Sequence, residues 1–241
     1  MTGRKLLVVG DSLAGGFPHL CFPALLRQLD PSWEITVSAR GGDTLLGAGN
    51  RLAELLSGRR PDAVLLVAGA NDLLLPFLES RGGTWKILVK RLVSRGSVPA
   101  ARPEAFRALL ERVVKAARGR AGSVILASVP CLGEDLHSHL NRRREEYNRV
   151  IAETALVAGA RLADLAEPYE RELKRLENPS SYLLGCLFDA FLDPLRSLTP
   201  CAAFQLSGRR GLLLTLDGVH PNPRGARILA EKVAAALSPI S

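Results

Sequence analysis

Residues 6–12 read LLVVGDS, a short apolar run that stops at Gly10 and is followed two residues later by Ser12. The apolar and β-branched residues predict a buried strand over Lys5–Val9. Ser12 then lies in the loop at the carboxyl end of this strand, where open α/β sheets place their chemistry. A serine here is a candidate nucleophile, although a serine after a strand more often caps a helix. The remaining sequence decides between these two roles.

Four further strands are predicted, and helical sequence separates each of them from the next. They are expected over Trp33–Val37, Asp62–Ala68, Ser123–Val129 and Arg161–Asp164. Strands that alternate with helices favour a parallel sheet covered on both faces. We therefore expect an α/β fold, a flavodoxin-like three-layer sandwich whose five-stranded parallel sheet has the order 2-1-3-4-5 and carries helices on both faces.

Two stretches interrupt the regular alternation of strands and helices. Residues 73–102 are expected to be irregular around a basic amphipathic piece, Trp85–Arg95, and residues 173–216 contain the apolar segment Tyr182–Leu198. Helices are expected elsewhere, over Pro23–Leu29, Leu45–Leu56, Pro103–Arg118, Leu136–Ala158, Glu167–Leu176 and Arg224–Leu237. The length fits one large domain, so we expect residues 1–241 to form a single domain with insertions near 73–102 and 173–216.

The net charge of +8 does not indicate a nucleic-acid-binding protein. The basic residues are dispersed, and two glutamates directly follow the densest run, Arg142–Arg144. A nucleic-acid groove needs clustered basic residues interleaved with aromatic side chains, whereas only 5% of this chain is aromatic. We expect no nucleic-acid partner.

The cysteines and glycines indicate no cofactor. The four cysteines are far apart in sequence, which favours free, mostly buried thiols over a zinc site or a redox pair; they are Cys21, Cys131, Cys186 and Cys201. Neither a P-loop nor a GxGxxG motif is present in the sequence. We expect no metal and no organic cofactor.

The sequence also predicts no stable insertion into a membrane. No uninterrupted apolar run reaches the roughly 18 residues of a membrane span. The first predicted strand begins too early for a secretory leader to precede it, so we expect a cytoplasmic location unless a leader has been removed. The oligomeric state stays open.

Three predicted loops converge on one end of the sheet. Ser12, Gly42 and Asn71 follow the first, second and third strands, and the carboxyl ends of parallel strands lie at one edge. The backbone N–H groups of Ser12 and Gly42 and the side-chain amide of Asn71 are candidate donors for an oxyanion. Glycine at position 42 also lets the backbone approach a ligand closely.

The sequence DGVHP at 217–221 provides a candidate base for Ser12. Acyl transfer needs a nucleophile and a base that takes its proton, and His220 can be that base. Asp217 lies three residues earlier, so one turn can place its carboxylate on one imidazole nitrogen and the serine on the other. We expect Ser12, His220 and Asp217 to form a catalytic triad. Taken alone, the same stretch favours a simple turn and a capping histidine, and it is the other candidate site residues that favour the triad.

Four short blocks resemble, in order, the signature blocks of the SGNH (GDSL-type) hydrolases. They are GDSL at 10–13, GGDT at 41–44, GAND at 69–72 and DGVHPN at 217–222. The resemblance runs from about residue 5 to about residue 235 and is greatest to the bacterial esterase and lysophospholipase-like branch. It implies a serine hydrolase with Ser12 as nucleophile, Gly42 and Asn71 as oxyanion residues, and Asp217 and His220 completing the triad.

The chain departs from the family pattern in two places. Ala70 replaces a glycine found in many relatives, which is expected to narrow the pocket slightly, and the segment 173–216 is longer than in the smallest members. Asp11 and Asp72 are expected to support the loops. An alternative, a metal-binding acidic pair like that of receiver domains, would need a lysine after a later strand, where Pro130 and Cys131 stand instead.

The function predicted from the sequence is the hydrolysis of carboxylic esters of small molecules through an acyl-serine, as in esterases, lipases or lysophospholipases. An acyltransferase or a carbohydrate O-deacetylase could use the same site, whereas intact motifs weigh against a non-catalytic binding module. Tyr182–Leu198 and Trp85–Arg95 either pack onto the body of the protein or cover the site and hold a hydrophobic acyl chain. The sequence does not identify the ester.

Overall fold

The five strands form one parallel sheet with the order β2-β1-β3-β4-β5, which confirms the predicted fold. The computed structural model describes residues 3–15 and 22–238. The strands span β1 Arg4–Gly10, β2 Trp33–Ala39, β3 Ala63–Val67, β4 Ser123–Ala127 and β5 Arg161–Ala163. Gly10 pairs with Ala39 of β2 and with Val67 of β3, so these three strands end level with one another. The loops that follow them therefore start side by side.

Helices cover both faces of the sheet. In the described residues they span α1 Ser12–Gly15, α2 Phe22–Leu29, α3 Leu45–Ser57, α4 Ala70–Ser80, α5 Gly83–Ser94, α6 Pro103–Arg118, α7 His139–Ala158, α8 Ala166–Leu173, α9 Leu187–Arg196, α10 Pro200–Arg209 and α11 Pro223–Leu237. α2 packs against α11, and α6 packs against both α3 and α7. Because parallel crossovers are right-handed, these two groups lie on opposite faces. The strands between them are buried on both sides, as the fully buried Val8, Val64 and Leu65 show.

The expectation that residues 73–102 are irregular is wrong, because most of this stretch forms α4 and α5. Two features hide α4 in the sequence. Three successive leucines, Leu73–Leu75, are all buried, so the stretch has no amphipathic period, and Pro76 stands inside the helix, where proline normally interrupts one. Packing against the rest of the protein overrides these weak local signals. α10 in the second insertion was likewise not predicted.

Two smaller expectations also need correction. Of the cysteines in the described residues, Cys131 is buried, but Cys186 and Cys201 are exposed, so the thiols are not mostly buried; Cys21 lies outside these residues. The longest helix, α7, starts at His139 rather than at Leu136, because the Ser138 side chain caps it by accepting from the Asn141 N–H at 3.2 Å. Across residues 3–15 and 22–238, none of the helices has the length and apolar character needed to cross a membrane.

Candidate active site

Ser12 lies directly beyond the end of β1 and is the first residue of the four-residue helix α1. The capping function that the sequence left open to Ser12 belongs to Asp11, whose Oδ1 accepts from the Leu13 N–H at 2.8 Å. Asp11 is also fixed to the sheet, because its N–H donates to the Val67 carbonyl at 3.2 Å. Ser12 is therefore held at the sheet edge while its own side chain lines a cleft.

Gly42 lies in the loop after β2 and also lines this cleft. Its φ of +74° is in the left-handed region, which glycine adopts far more readily than other residues. A Cβ atom at this position would come within 2.9 Å of Leu92 on α5. The backbone conformation thus favours glycine at position 42, and any larger residue would also have to displace the Leu92 side chain.

Asn71, the second residue of α4, connects the first three loops of the sheet edge. Its Nδ2 donates to the Asp43 carbonyl at 2.9 Å and to Asp11 Oδ2 at 3.3 Å. The bond to Asp11 is the longer of the two and is thus the easier to exchange for a bound oxyanion. Ala70 before it is buried in the core and does not line the cleft, so the expected narrowing of the pocket by this residue is wrong.

The loop between α10 and α11 brings Asp217 and His220 to the same cleft. His220 Nδ1 lies 2.7 Å from Asp217 Oδ2, while Asp217 Oδ1 accepts from the N–H groups of Val219 and His220 at 2.9 and 2.8 Å. Gly218 between them has a φ of +92°, and a Cβ there would meet the Ser181 carbonyl oxygen at 2.3 Å. The tight turn thus orients the imidazole of His220 through its Nδ1.

The Asp217–His220 pair favours the charged form of both partners. Burial works against the charge on Asp217, but the neighbouring His220 and three hydrogen bonds hold the pKa of the carboxyl below its ordinary value. Burial alone would likewise lower the pKa of His220, but the charge and hydrogen bond of Asp217 raise it above its ordinary value. A histidine in this setting is a stronger base than one in water.

Asp11 and Asp72 are both buried beside the cleft, as supporting residues should be. Asp72 accepts from the N–H groups of Leu45 at 2.9 Å and Ala100 at 2.8 Å, which joins α4 to the start of α3 and to the segment before α6. Burial raises the pKa of Asp11 to about 7 and that of Asp72 to about 6. Asp11 thus titrates near neutral pH, directly between Ser12 and Asn71.

Two charged groups that the sequence motifs did not reveal hold these loops in place, the half-buried Arg51 and the fully buried Glu134. Arg51 on α3 lies 2.5 Å from Asp43 Oδ2 and donates to the Gly10 carbonyl at 2.8 Å, so it links the loops after β1 and β2. Glu134, after β4, accepts from the N–H groups of residues 213–215 and so positions the segment before Asp217. In the sequence, an arginine eight residues after Asp43 only weakly indicates that the two side chains are in contact. No neighbouring residue indicates the contacts that Glu134 makes.

Beyond the polar groups, the walls of the cleft are apolar. The cleft has a volume of about 250 Å³. Three helices and the segment before α9 supply its walls, through Leu74, Leu75 and Leu78 of α4, Trp85, Leu88 and Leu92 of α5, and Leu184, Leu187, Ala190 and Phe191. The polar groups are confined to the end formed by the sheet edge. The cleft therefore has a reactive polar end and an apolar body.

A family model for the GDSL-like lipase/acylhydrolase family matches residues 8–228. The chain belongs to this family, which confirms the resemblance found in the sequence. The family is one of lipases and acylhydrolases, which is the class of enzyme that the sequence motifs predict.

A curated arylesterase from Vibrio mimicus is 39% identical over 83 residues, which are 32% of this chain and 42% of that protein. The chain thus matches less than half the length of this relative.

Solved structures with a similar fold include LAE5, an α/β hydrolase enzyme from the metagenome of Lake Arreo in Spain. It is 18% identical, with a TM-score of 0.66, and the comparison covers 98% of this chain and 95% of that one. Axe2, an acetylxylan esterase from Geobacillus stearothermophilus, is 19% identical with a TM-score of 0.63, over 98% and 94% of the two chains. At these identities the similarity establishes the fold.

Proposed function

We propose that this protein hydrolyses carboxylic esters through a covalent acyl-Ser12 intermediate. His220 takes the proton of the Ser12 hydroxyl as Oγ attacks the carbonyl carbon, and Asp217 stabilises the resulting imidazolium. The carbonyl oxygen becomes an oxyanion that accepts from the N–H groups of Ser12 and Gly42 and from the Asn71 amide. His220 then gives its proton to the leaving alcohol as the ester C–O bond breaks.

Release of the acid repeats the same proton transfers with water. His220 takes a proton from a water molecule that attacks the acyl-serine carbonyl, and it returns this proton to Ser12 Oγ as the acyl group leaves. The single observation that carries the proposal is the Asp217–His220 pair at 2.7 Å, facing a cleft that Ser12, Gly42 and Asn71 also line. A nucleophile, an oriented base and oxyanion donors are thereby supplied at one place.

We infer further that the acyl part of the ester is hydrophobic. The walls beyond the sheet edge consist of leucine, alanine, tryptophan and phenylalanine side chains, and burying an acyl chain against them gains about 0.8 kcal/mol per methylene group. A sugar would leave its hydroxyl groups without hydrogen-bond partners on such walls. The lining thus favours an acyl ester of the lipid type over an O-acetylated carbohydrate.

The segment Tyr182–Leu198 covers the apolar body of the cleft and forms part of its wall through Leu184, Leu187 and Phe191. This arrangement supports the hypothesis that the segment sets acyl-chain preference. Arg81, just before α5, donates to the carbonyls of Leu183 and Gly185 at 3.0 Å in both cases and so attaches the segment to the opposite wall.

A panel of p-nitrophenyl esters from acetate to laurate, beside an acetylated sugar, tests the proposal. We expect activity on the aryl esters to rise with chain length and activity on the sugar to be weak. Leu88→Trp fills the cleft and should lower kcat/KM for octanoate about tenfold or more while sparing acetate. Ile87→Trp is the matched control, because Ile87 is 70% exposed and does not line the cleft.

A second pair of variants tests the Tyr182–Leu198 wall. Leu187→Ser places a hydroxyl in the apolar wall and should reduce the octanoate-to-butyrate ratio, whereas Phe188→Ser, one residue further and outside the cleft, should not. An unchanged ratio in Leu187→Ser would overturn the assignment of chain preference to this segment. A panel in which the acetylated sugar is the best substrate would overturn the hydrophobic acyl group while leaving the serine mechanism standing.

A further inference from the structure

The helix α9 is amphipathic, but one of its charged residues, Asp193, faces the protein. Asp193 is fully buried and forms a two-pronged pair with Arg210, whose nitrogen atoms lie 2.7 and 2.8 Å from the carboxylate oxygens. The guanidinium of Arg210 in turn lies over the ring of Tyr182, 4.2 Å from its centre. These contacts fix the rotation of α9 about its own axis and leave its apolar side pointing outward.

The outward side of α9 is a stripe of large apolar side chains. Phe188, Phe191 and Leu195 are 67%, 67% and 65% exposed, at the i, i+3 and i+7 spacing that places them on one helix face. Leu198 and Phe204, in the turn and helix that follow, are also exposed. We name Phe188, Phe191 and Leu195 the α9 stripe. Grouped exposed aromatic side chains of this kind mark an interaction surface.

The α9 stripe is continuous with the acyl-binding cleft. Phe191 belongs to both, since it lines the cleft beside Leu187 and Ala190 and is two-thirds exposed at the same time. An apolar surface applied to the stripe would thus also contact the cleft at Phe191. The stripe therefore adjoins the cleft in which the acyl chain of the substrate is proposed to bind.

The opposite wall of the cleft presents basic groups to solvent. α5 lines the cleft with Trp85, Leu88 and Leu92, and its exposed residues and the following turn carry Lys86, Lys90, Arg91 and Arg95. The whole chain has a net charge of +8. An apolar stripe beside exposed lysine and arginine residues matches a surface that is apolar inside and anionic outside, as an acidic phospholipid bilayer is.

We propose that the α9 stripe and the basic side of α5 dock the protein on an anionic phospholipid bilayer, with the stripe buried among the headgroups and upper acyl chains. Docking itself is independent of the catalytic mechanism; its use, which is to present acyl esters of that surface to the cleft, rests on the proposed function. A second copy of this chain fits less well, because each copy carries a net charge of +8 and two copies repel each other, whereas an anionic bilayer attracts the protein.

Sedimentation with vesicles tests the docking. The protein is used as Ser12→Ala, so that lipid turnover does not alter the vesicles, and the vesicles contain phosphatidylcholine either alone or mixed with phosphatidylglycerol. We expect binding to the mixed vesicles that weakens with salt, and little binding to phosphatidylcholine alone. Lys86→Gln with Lys90→Gln should weaken the binding to mixed vesicles about 25-fold, at about fivefold for each charge.

The decisive variant removes apolar groups that lie outside the cleft. Phe188→Ser with Leu195→Ser should weaken vesicle binding about tenfold or more. The same pair in the Ser12-containing protein should leave hydrolysis of soluble p-nitrophenyl butyrate unchanged, which separates docking from catalysis. Leu156→Ser with Val157→Ser is the matched control, because these residues of α7 are 83% and 88% exposed and lie away from the cleft, so binding should persist.

Three results would overturn the proposal. The first is that the stripe variant binds mixed vesicles as tightly as the parent, and the second is that the α7 control loses as much binding as the stripe variant. The third is a dimer in sedimentation equilibrium that the stripe variant abolishes, which would assign the stripe to a second copy. If p-nitrophenyl butyrate is not hydrolysed at all, the proposed function fails while the vesicle result still stands or falls by itself.

Discussion

The sheet edge around Ser12 and the α9 stripe both adjoin one cleft, but they differ in whether polar or apolar side chains are buried. At the sheet edge, carboxylate, amide and backbone groups are buried and paired, as in Asn71 with Asp43 and Asp217 with His220. On α9, large apolar side chains face solvent, and the buried polar pair serves to attach the helix. If the proposed function holds, this difference means that the reaction and the choice of substrate depend on separate parts of the molecule, which can be changed separately.

The largest expected effect is a loss of activity at the sheet edge that leaves vesicle binding by the α9 stripe unchanged. Ser12→Ala should lower kcat for p-nitrophenyl butyrate about 10⁴-fold or more, because the nucleophile of the triad is lost. The cleft and the α9 stripe remain intact, so vesicle binding should not change. Ser57→Ala, at the exposed end of α3, is the control and should keep full activity. Retention of more than a few per cent of activity in Ser12→Ala would contradict the assignment of Ser12 as the nucleophile.

Asn71→Ala tests whether the sheet edge stabilises a transition state rather than only holding loops together. Loss of one oxyanion donor costs about 2.7–4 kcal/mol, so kcat should fall about 10²- to 10³-fold with KM little altered. The circular dichroism spectrum and the midpoint of urea unfolding show whether the loops stay folded. A fall of less than tenfold in a folded variant would remove Asn71 from the oxyanion site.

Arg210→Met tests the attachment of α9. It leaves Asp193 buried without its main partner, which should lower the free energy of unfolding by about 3 kcal/mol, as measured by urea denaturation. Arg209→Met changes an exposed neighbour and should cost less than about 0.5 kcal/mol. If the two variants are equally stable, the Asp193–Arg210 pair does not orient α9, and the exposure of the α9 stripe has no explanation.

The smallest expected effect is on the pH dependence. The base must be neutral to accept the proton of Ser12, so kcat/KM should rise with pH through the pKa of His220. Because Asp217 raises that pKa above its ordinary value, the midpoint should lie above 6.5. Asp217→Asn removes the carboxylate that stabilises the imidazolium, so the midpoint should move downward along with the lower rate. A midpoint that moves upward would contradict the assigned pairing.

Much of the fold and the elements of the proposed site were predictable, because they depend on local sequence. Alternating apolar runs and helices predict the order of the sheet, and level strand ends place Ser12, Gly42 and Asn71 together. Asp217 and His220 are three residues apart, so one turn brings them into contact.

The remainder depends on partners that are distant in sequence. α4 carries a proline and has no amphipathic period, and its helical form depends on packing. Glu134 contacts residues about 80 positions later, so no local pattern reveals its role. An apolar helical stripe such as that of α9 normally predicts burial, whereas the contact between Arg210 and Asp193, which are 17 residues apart, favours an outward orientation of the stripe.

Labelling with a fluorophosphonate probe tests the central claim most directly, because the probe forms a covalent bond with an activated serine and needs no knowledge of the natural ester. We predict a single adduct, located on Ser12 by peptide mass spectrometry, that forms slowly in His220→Ala and is absent from Ser12→Ala. A folded protein that takes up no probe, or a Ser12→Ala variant labelled as fast as the parent, would contradict the account.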